Sequence, residues 1–487
     1  MPLMTPEEYT ASIRKLRPNI YKHGRLIEDV TAYGETGYTV RGNAELYRCA
    51  LDPEFSEVLT TSSNLTGRKI NRYLSVMETP EDAMRNTYIK RLAFQRTGTC
   101  TGSRCAGWSA INALWATTWE MDRDLGTDYH QRFTEWLIDA QDRDISIAGA
   151  LTDPKGDRTR PPSAQDDPDM NLHIVEHRED GVVIRGAKFM ICGTASAHEV
   201  MVLPGSGYRE ADKDYCIAAA VPRDSENLII IENRQPSDTR KNEAGFDKGT
   251  EAGGISQALL VFDNVFVPRA RVFLAGEYSY SGRVVNRFVV AERSTMGGCV
   301  AGQGDVKIAA AALVAHCNGI GTRPLADKFV EMCVDNETLY GVGVAACALG
   351  SRHPSGVWEP NPLLSNVSKI NVARLPYDTS VLCQEIAGGI GETGCMPSYR
   401  DFVDPEIGPW VQKYLKAASS AESRMKAARL VEYSTIGLGV PGCMHGGGSP
   451  DAAKLPLRGL MNLDWYIELG RRLAGIEEDI RVLAGKK

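Results

Sequence analysis

Along the first 148 positions apolar residues recur at three- and four-residue spacing, as in RFTEWLIDAQ (132–141), the period of a helix with one buried face. Thr5, Pro6, Glu7 and Glu8 predict a helix start, with proline and two carboxylates in the first turn. From LTDPKGDR (151–158) the pattern becomes short β-rich runs between turn residues: NLHIVEHRED, GVVIRGAKFMIC, EVMVLP, YCIAAAVP, LIIIENR and QALLVFDNVFVP. Asp180-Gly181 and Arg185-Gly186 read as turns of an antiparallel barrel or sandwich that ends near residue 276. Alanine-rich helical stretches such as DVKIAAAALVAHCNG (305–319) then persist to the end. The expectation is an α+β chain: a helical domain over 1–148, an antiparallel β-domain over 149–276 and a helical bundle over 277–487.

Composition narrows the function classes. A net charge of −7 argues against a nucleic-acid surface. No apolar run approaches the ~20 residues that span a bilayer, and MPLMTPEEYTASIRKL has no apolar signal core, so a cytoplasmic protein without a membrane segment is expected. The twelve cysteines lack a framework of regular spacings, which suits a reducing compartment. Cys317, Cys333, Cys347 and Cys383 sit in apolar helical surroundings and read as core. Cys100, Cys105, Cys192, Cys299 and Cys443 instead adjoin glycine-rich or irregular segments.

Those segments carry the candidate chemistry. TGTCTGSRC (97–105) places Cys100 and Cys105 in a glycine- and serine-containing break. They can be ligands, a redox pair or inert small residues. TDPKGDR (152–158), with Thr152, Asp153 and Lys155, offers backbone N–H groups and cations to a phosphate or a flavin, or is a solvated turn. In GAKFMICGTASAHE (186–199), Cys192, Gly193 and Thr194 form a small polar turn of the kind a flavin ring approaches closely, although Cys192 is equally readable as packing. In AERSTMGGC (291–299) a helix would align Glu292, Met296 and Cys299 on one face, with Gly297-Gly298 packed against a bulky group. Gly388 and Gly389, in a glycine-rich segment after a helix (AGGIGETG, 387–394), admit phosphates or simply cap. In CMHGGGSP (443–450) His445 precedes three glycines. Zinc fits poorly, because no second ligand pair lies near 100/105; a third cysteine from a distant helix suits an iron–sulfur cluster better.

The order helices, β-domain, helices resembles the acyl-CoA dehydrogenase-like architecture, in which a flavin lies between the β-domain and the C-terminal helices. More specifically, TDPKGDR, PSAQDDPD, GVVIRGAK, ALLVFDNVFVP, NETLYG and MHGGGSP together resemble the 4-hydroxybutyryl-CoA dehydratase/vinylacetyl-CoA isomerase family, itself related to flavin-dependent 4-hydroxyphenylacetate 3-hydroxylases. The resemblance runs from TPEEYTASIRKL to past residue 450. It implies a homotetramer with FAD and a [4Fe-4S] cluster held by three cysteines and a histidine, acting on a CoA thioester. Carried over by position, Cys105 and Cys299 match two thiolate ligands; Cys100 matches the third, with four residues between the pair where the family has three. Glu292 stands where the family has the histidine, and Met296 and Val300 where it has tyrosine and lysine. Gln257 and Gly442 stand where it has glutamates, while His445 and His130 are retained.

The resemblance therefore implies an FAD- and cluster-dependent dehydratase or isomerase, with Cys100, Cys105 and Cys299 on the cluster and Glu292 as fourth ligand or base. Replaced acid–base groups imply a different hydroxyacyl substrate. Two other readings stand: a two-component flavin monooxygenase for an aromatic ring, favoured by His130, and a non-enzymatic paralogue that keeps the fold.

Overall fold

The computed structural model describes residues 3–476 except 101, 235–242, 244, 248–255, 322 and 437–445. The first helix, Pro6–Arg14, starts where the sequence places it. Thr5 Oγ1 accepts the Glu8 N–H and Glu8 Oε2 accepts the Thr5 N–H, a closed capping box. Helices Gly34–Leu51, Pro80–Thr97, Arg104–Leu125 and Tyr129–Arg143 follow, but this segment also contributes strands. Ile20–Lys22 pairs in parallel with Leu228–Glu232, and Ile147–Ala150 pairs in parallel with Glu199–Val202.

The β-region is thus two mixed sheets and not the antiparallel unit expected. One runs Arg25–Leu26, Ile20–Lys22, Leu228–Glu232, Gln257–Pro268, Gly181–Cys192, His173–Arg178; the other Val272–Ala275, Ile217–Pro222, Glu199–Val202, Ile147–Ala150. Their inner faces share one core, with Ile184, Ile230, Leu260 and Phe262 from the first sheet and Val200, Val202, Ile217 and Val221 from the second. Gly181 opens a strand after a turn, as predicted. Arg185-Gly186 is not a turn: Gly186 lies inside the strand at φ +117°, where a Cβ would strike the Asn171 carbonyl at 2.3 Å.

The C-terminal half is organised around one 40-residue helix, Tyr278–Cys317. Helices Pro80–Thr97, Arg104–Leu125, Ala326–Ala348, Pro362–Val372, Leu375–Thr393 and Ala421–Thr435 all pack on it. Among the described residues it is the one helix long and apolar enough to cross a membrane. Its apolar content instead follows from being enclosed by other helices. AGGIGETG does not follow a helix; residues 387–393 lie within Leu375–Thr393, which kinks at Gly388 (φ +71°), and Gly394 caps its end. Cys317, Cys347 and Cys383 are buried as expected, whereas Cys333 is exposed on the outer face of its helix. The last described helices, Pro450–Leu460 and Leu463–Leu473, leave Leu463, Trp465, Tyr466 and Leu473 open to solvent.

Candidate functional site

Helix Arg104–Leu125 begins one residue before Cys105, so Cys105 sits in its first turn and Cys100 in the loop that enters it. The backbone amides of Gly102 and Ala106 favour the thiolate forms of Cys100 and Cys105, and Cys105 lies at the positive end of its helix. On the opposite wall, Tyr278–Cys317 runs unbroken through Gly297-Gly298 and presents Glu292, Met296 and Cys299 on one stripe. The bulky group those glycines accommodate is neighbouring backbone. A Cβ at Gly297 would meet the Leu339 carbonyl at 2.3 Å, and one at Gly298 the Thr87 carbonyl at 2.0 Å.

That close approach delivers a residue the sequence reading missed. Lys90, on helix Pro80–Thr97, places Nζ 3.2 Å from Glu292 Oε2 and 2.6 Å from Thr295 Oγ1. Ser109 donates to the other Glu292 oxygen at 2.7 Å. Burial opposes the Lys90 charge, but the Glu292 carboxylate, then Cys105 and Cys299, outweigh it and hold the ammonium above the usual lysine range. The only local signal for Lys90 is its place among Thr87, Lys90 and Phe94, a buried stripe at helical spacing.

The thiols form one electrostatic group. Burial pushes Cys100 well above the ordinary thiol range, and Cys105, Cys299 and Cys192 push it further. Burial raises Cys105 to about 11, with Lys90 pulling down and Glu292 and Cys192 pushing up. Cys192 is raised by burial and held by Gln257, whose Nε2 donates to its sulfur at 3.6 Å. Behind the loop, Arg104 is 2% exposed and stacked between Tyr47 (4.2 Å) and Tyr73 (4.6 Å), its three nitrogens without hydrogen-bond partners. Next to Cys299, Met296 and Val300 form an apolar wall with Leu339, Val372 and Leu375.

Among the described residues no three His, Cys, Asp or Glu side chains stand close enough to hold a single metal ion. The thiol donors are nonetheless soft, half-buried and electrostatically coupled. That chemistry fits a polynuclear iron–sulfur cluster, whose protein ligands are spread more widely than those of one ion.

Of the residues expected to meet a flavin, Gly193 lies against the 100–105 loop. Gly193 adopts φ +72°, and a Cβ there would strike Ser103 N at 2.5 Å. Thr194 Oγ1 is buried without a partner, a donor facing a group that protein atoms do not supply. The Thr152 carbonyl accepts the Phe189 N–H at 2.9 Å, which ties the TDPKG loop to strand Gly181–Cys192. Asp153 is committed inward, paired with buried Lys188 at 2.6 Å and accepting the Tyr208 hydroxyl at 3.1 Å. Lys155 is exposed. This corner fits a flavin through Gly193 and Thr194 more directly than through Asp153.

Other predicted residues are not brought to the thiols. His130 is bonded to Thr118 Oγ1 at 3.0 Å and set edge-on to Trp115, and Thr118 is 13 residues along the helix from Cys105, roughly 20 Å away. Burial lowers its basicity, with Asp122 partly opposing. Gly388 and Gly389 lie beside the distal end of the long helix, near Ala310–Cys317, where an added Cβ would meet nothing within 4 Å. His445, Cys443 and Gly442 lie outside the described residues. The end of their segment rests on the long helix one turn from Cys299: Arg293 Nε donates to the Gly447 carbonyl at 2.9 Å, and Met296 Sδ would touch a Cβ there at 2.9 Å.

Models of the 4-hydroxyphenylacetate 3-hydroxylase N-terminal and C-terminal regions match residues 5–274 and 281–475. The chain is 41% identical to 4-hydroxybutyryl-CoA dehydratase/vinylacetyl-CoA-Δ-isomerase of Clostridium aminobutyricum, over 98% of this chain and 100% of that one. Among solved structures, an oxygen-tolerant archaeal 4-hydroxybutyryl-CoA dehydratase from N. maritimus superposes with a TM-score of 0.94 at 37% identity, covering 99% of this chain and 97% of the other. The oxygenase component of 4-hydroxyphenylacetate 3-monooxygenase, complexed with FAD, shares the fold at 24% identity and a TM-score of 0.83, over 96% and 98% of the two chains. Matched along both regions and most similar here to dehydratases, this chain belongs to the 4-hydroxyphenylacetate 3-hydroxylase family and, within it, to the 4-hydroxybutyryl-CoA dehydratase/vinylacetyl-CoA isomerase group.

Proposed function

We propose that this chain is an FAD- and [4Fe-4S]-dependent lyase/isomerase that dehydrates or isomerises a hydroxyacyl-CoA other than 4-hydroxybutyryl-CoA. In this reading it is a cytoplasmic homotetramer with the three-part acyl-CoA dehydrogenase-like division at residues 148 and 276. The observation that carries it is the half-buried group of Cys100, Cys105 and Cys299 beside the Lys90–Glu292 pair, in a chain 41% identical to a dehydratase/isomerase. Gly193 and Thr194 contact the flavin, and the thiols hold the cluster. When bound, the pair supplies one-electron chemistry and a Lewis-acidic iron, by which an unactivated C–H bond becomes acidic.

The chain's own residues set the substrate. Glu292 accepts a substrate proton while Lys90 and Ser109 hold its carboxylate in place. Met296 and Val300 replace polar groups with an apolar wall beside Cys299, and Gln257 offers an amide where a carboxylate would bind a hydroxyl or carry a proton. A substrate bearing an apolar substituent near its hydroxyl suits that wall better than the unsubstituted 4-hydroxybutyryl chain. The test is anaerobic purification with iron, sulfide and flavin analysis, followed by turnover on a panel of hydroxyacyl-CoA thioesters. About four irons per chain, one flavin and turnover of a substituted thioester are expected; active, flavin-replete but iron-free protein refutes the reading.

The family models favour a second reading, a flavin monooxygenase. Oxygen uptake with reduced flavin and a phenol, by protein lacking iron, would establish it.

A further inference from the structure

We propose that Cys192 is the fourth thiolate of the cluster site and that Glu292 stands outside the ligand set as the counter-ion of Lys90. The inference rests on the cluster reading above and changes which residues hold it.

Three observations carry it. The turn bearing Cys192 and the loop bearing Cys100 and Cys105 are in backbone contact. A Cβ on Gly193 would lie 2.5 Å from Ser103 N, and Ser196 Oγ bonds the Gly193 carbonyl at 2.9 Å while standing 3.4 Å from Ser103 Oγ. The Cys192 thiol also acts electrostatically on both Cys100 and Cys105, and Cys299 acts on Cys100, so the four half-buried thiols share one neighbourhood. Second, its sulfur already has the partner a thiolate ligand needs, the Gln257 amide at 3.6 Å. N–H donors to sulfur stabilise the anionic ligand, as the Gly102 and Ala106 amides do for Cys100 and Cys105. A glutamate at 257 has no proton to offer when ionised and would repel a thiolate. The amide at 257 and the thiol at 192 thus make sense together.

Third, Glu292 is occupied. Both of its oxygens are bonded, one to Lys90 and one to Ser109, and Lys90 is only 4% exposed. Turning the carboxylate to iron would strand a buried ammonium. Sulfur is also the softer donor and the usual one for such clusters. A fourth thiolate in place of a neutral imidazole adds one negative charge, and Lys90, beside Cys105 and Cys299, is placed to offset it. The turn 192–194 then carries a cluster ligand at one end and flavin contacts at the other.

The test uses full-length protein reconstituted anaerobically with iron and sulfide, as wild type, Cys192→Ala, Cys192→Ser and Glu292→Gln. Iron content, Mössbauer and electron paramagnetic resonance spectra are read, with bound flavin and circular dichroism as controls for folding. Both Cys192 variants are expected to fall from about four to about three irons per chain and to give a three-iron spectrum, while Glu292→Gln keeps four. In unmutated protein, Cys192 should be protected from alkylation by cluster loading together with Cys100, Cys105 and Cys299, while exposed Cys333 reacts throughout. A full cluster in both Cys192 variants, or unchanged Cys192 alkylation on loading, overturns the proposal. If Glu292→Gln alone loses iron, the carboxylate is the ligand. A wild type that takes up no cluster removes the underlying reading as well.

Discussion

Replacing Lys90 by methionine removes a buried cation and leaves Glu292 facing it without a partner. The two side chains are 4% and 14% exposed and 3.2 Å apart. At an effective dielectric constant of about 20 their attraction is about 5 kcal/mol. Breaking one side of such a pair costs about 3–5 kcal/mol, because the remaining charge stays desolvated. For a chain of 487 residues the unfolding entropy is roughly 1 kcal/mol per kelvin, so Lys90→Met is expected to lower Tm by about 3–5 °C. The double variant Lys90→Met, Glu292→Gln removes both charges while Ser109 can still donate to the amide oxygen. It should recover most of that loss, giving a coupling of about 2–4 kcal/mol. Differential scanning calorimetry of the cofactor-free proteins under reducing conditions reads all four corners of the cycle. A single variant within 1 °C of wild type, or a double variant that merely sums the two losses, refutes the account of Glu292 as the partner of Lys90.

Further outcomes follow from geometry elsewhere. Gly298→Ala drives a methyl to 2.0 Å from the Thr87 carbonyl and should cost at least about 1–3 kcal/mol, whereas Gly341→Ala, with nothing within 4 Å, should add about 0.5–1 kcal/mol; urea unfolding distinguishes them. Burial raises the Asp144 carboxyl to about 6, with Arg104 partly opposing, so the folded state binds that proton before the unfolded chain does. Stability is therefore gained as pH falls from about 6 towards 4, and Asp144→Asn, which keeps the acceptor for the Met4 N–H, should exceed wild type by about 1–3 kcal/mol at pH 8 and match it near pH 4. Denaturation across that range checks the sign. If the exposed Trp465 and Tyr466 join subunits, Trp465→Glu with Tyr466→Glu should reduce the mass measured by light scattering below that of a tetramer.

What the sequence made legible, and what it did not, divides by the range of the contact involved. The Thr5 cap, the alternation of the β-runs and the stripe Glu292–Met296–Cys299 are all set within a few residues, and each is found where its local pattern puts it. Local patterns erred where a glycine served distant backbone. Arg185-Gly186 looked like a turn, but Gly186 answers the Asn171 carbonyl from inside a strand; the close packing expected at Gly297-Gly298 is present, and what it meets is the backbone of Leu339 and Thr87. Arg104 and Lys90 were invisible for a related reason. Their spacing resembles that of any solvated arginine or lysine on a helix, and their burial depends on Tyr47 and Tyr73 in one case and Glu292, 202 residues away, in the other. The same holds for Cys192. Read alone it was a flavin contact or packing; its kinship with Cys100 and Cys105 depends on Gly193 letting that turn rest against Ser103. Substituting Gly193 should therefore separate the thiols, whereas substituting Gly341, in open space, cannot.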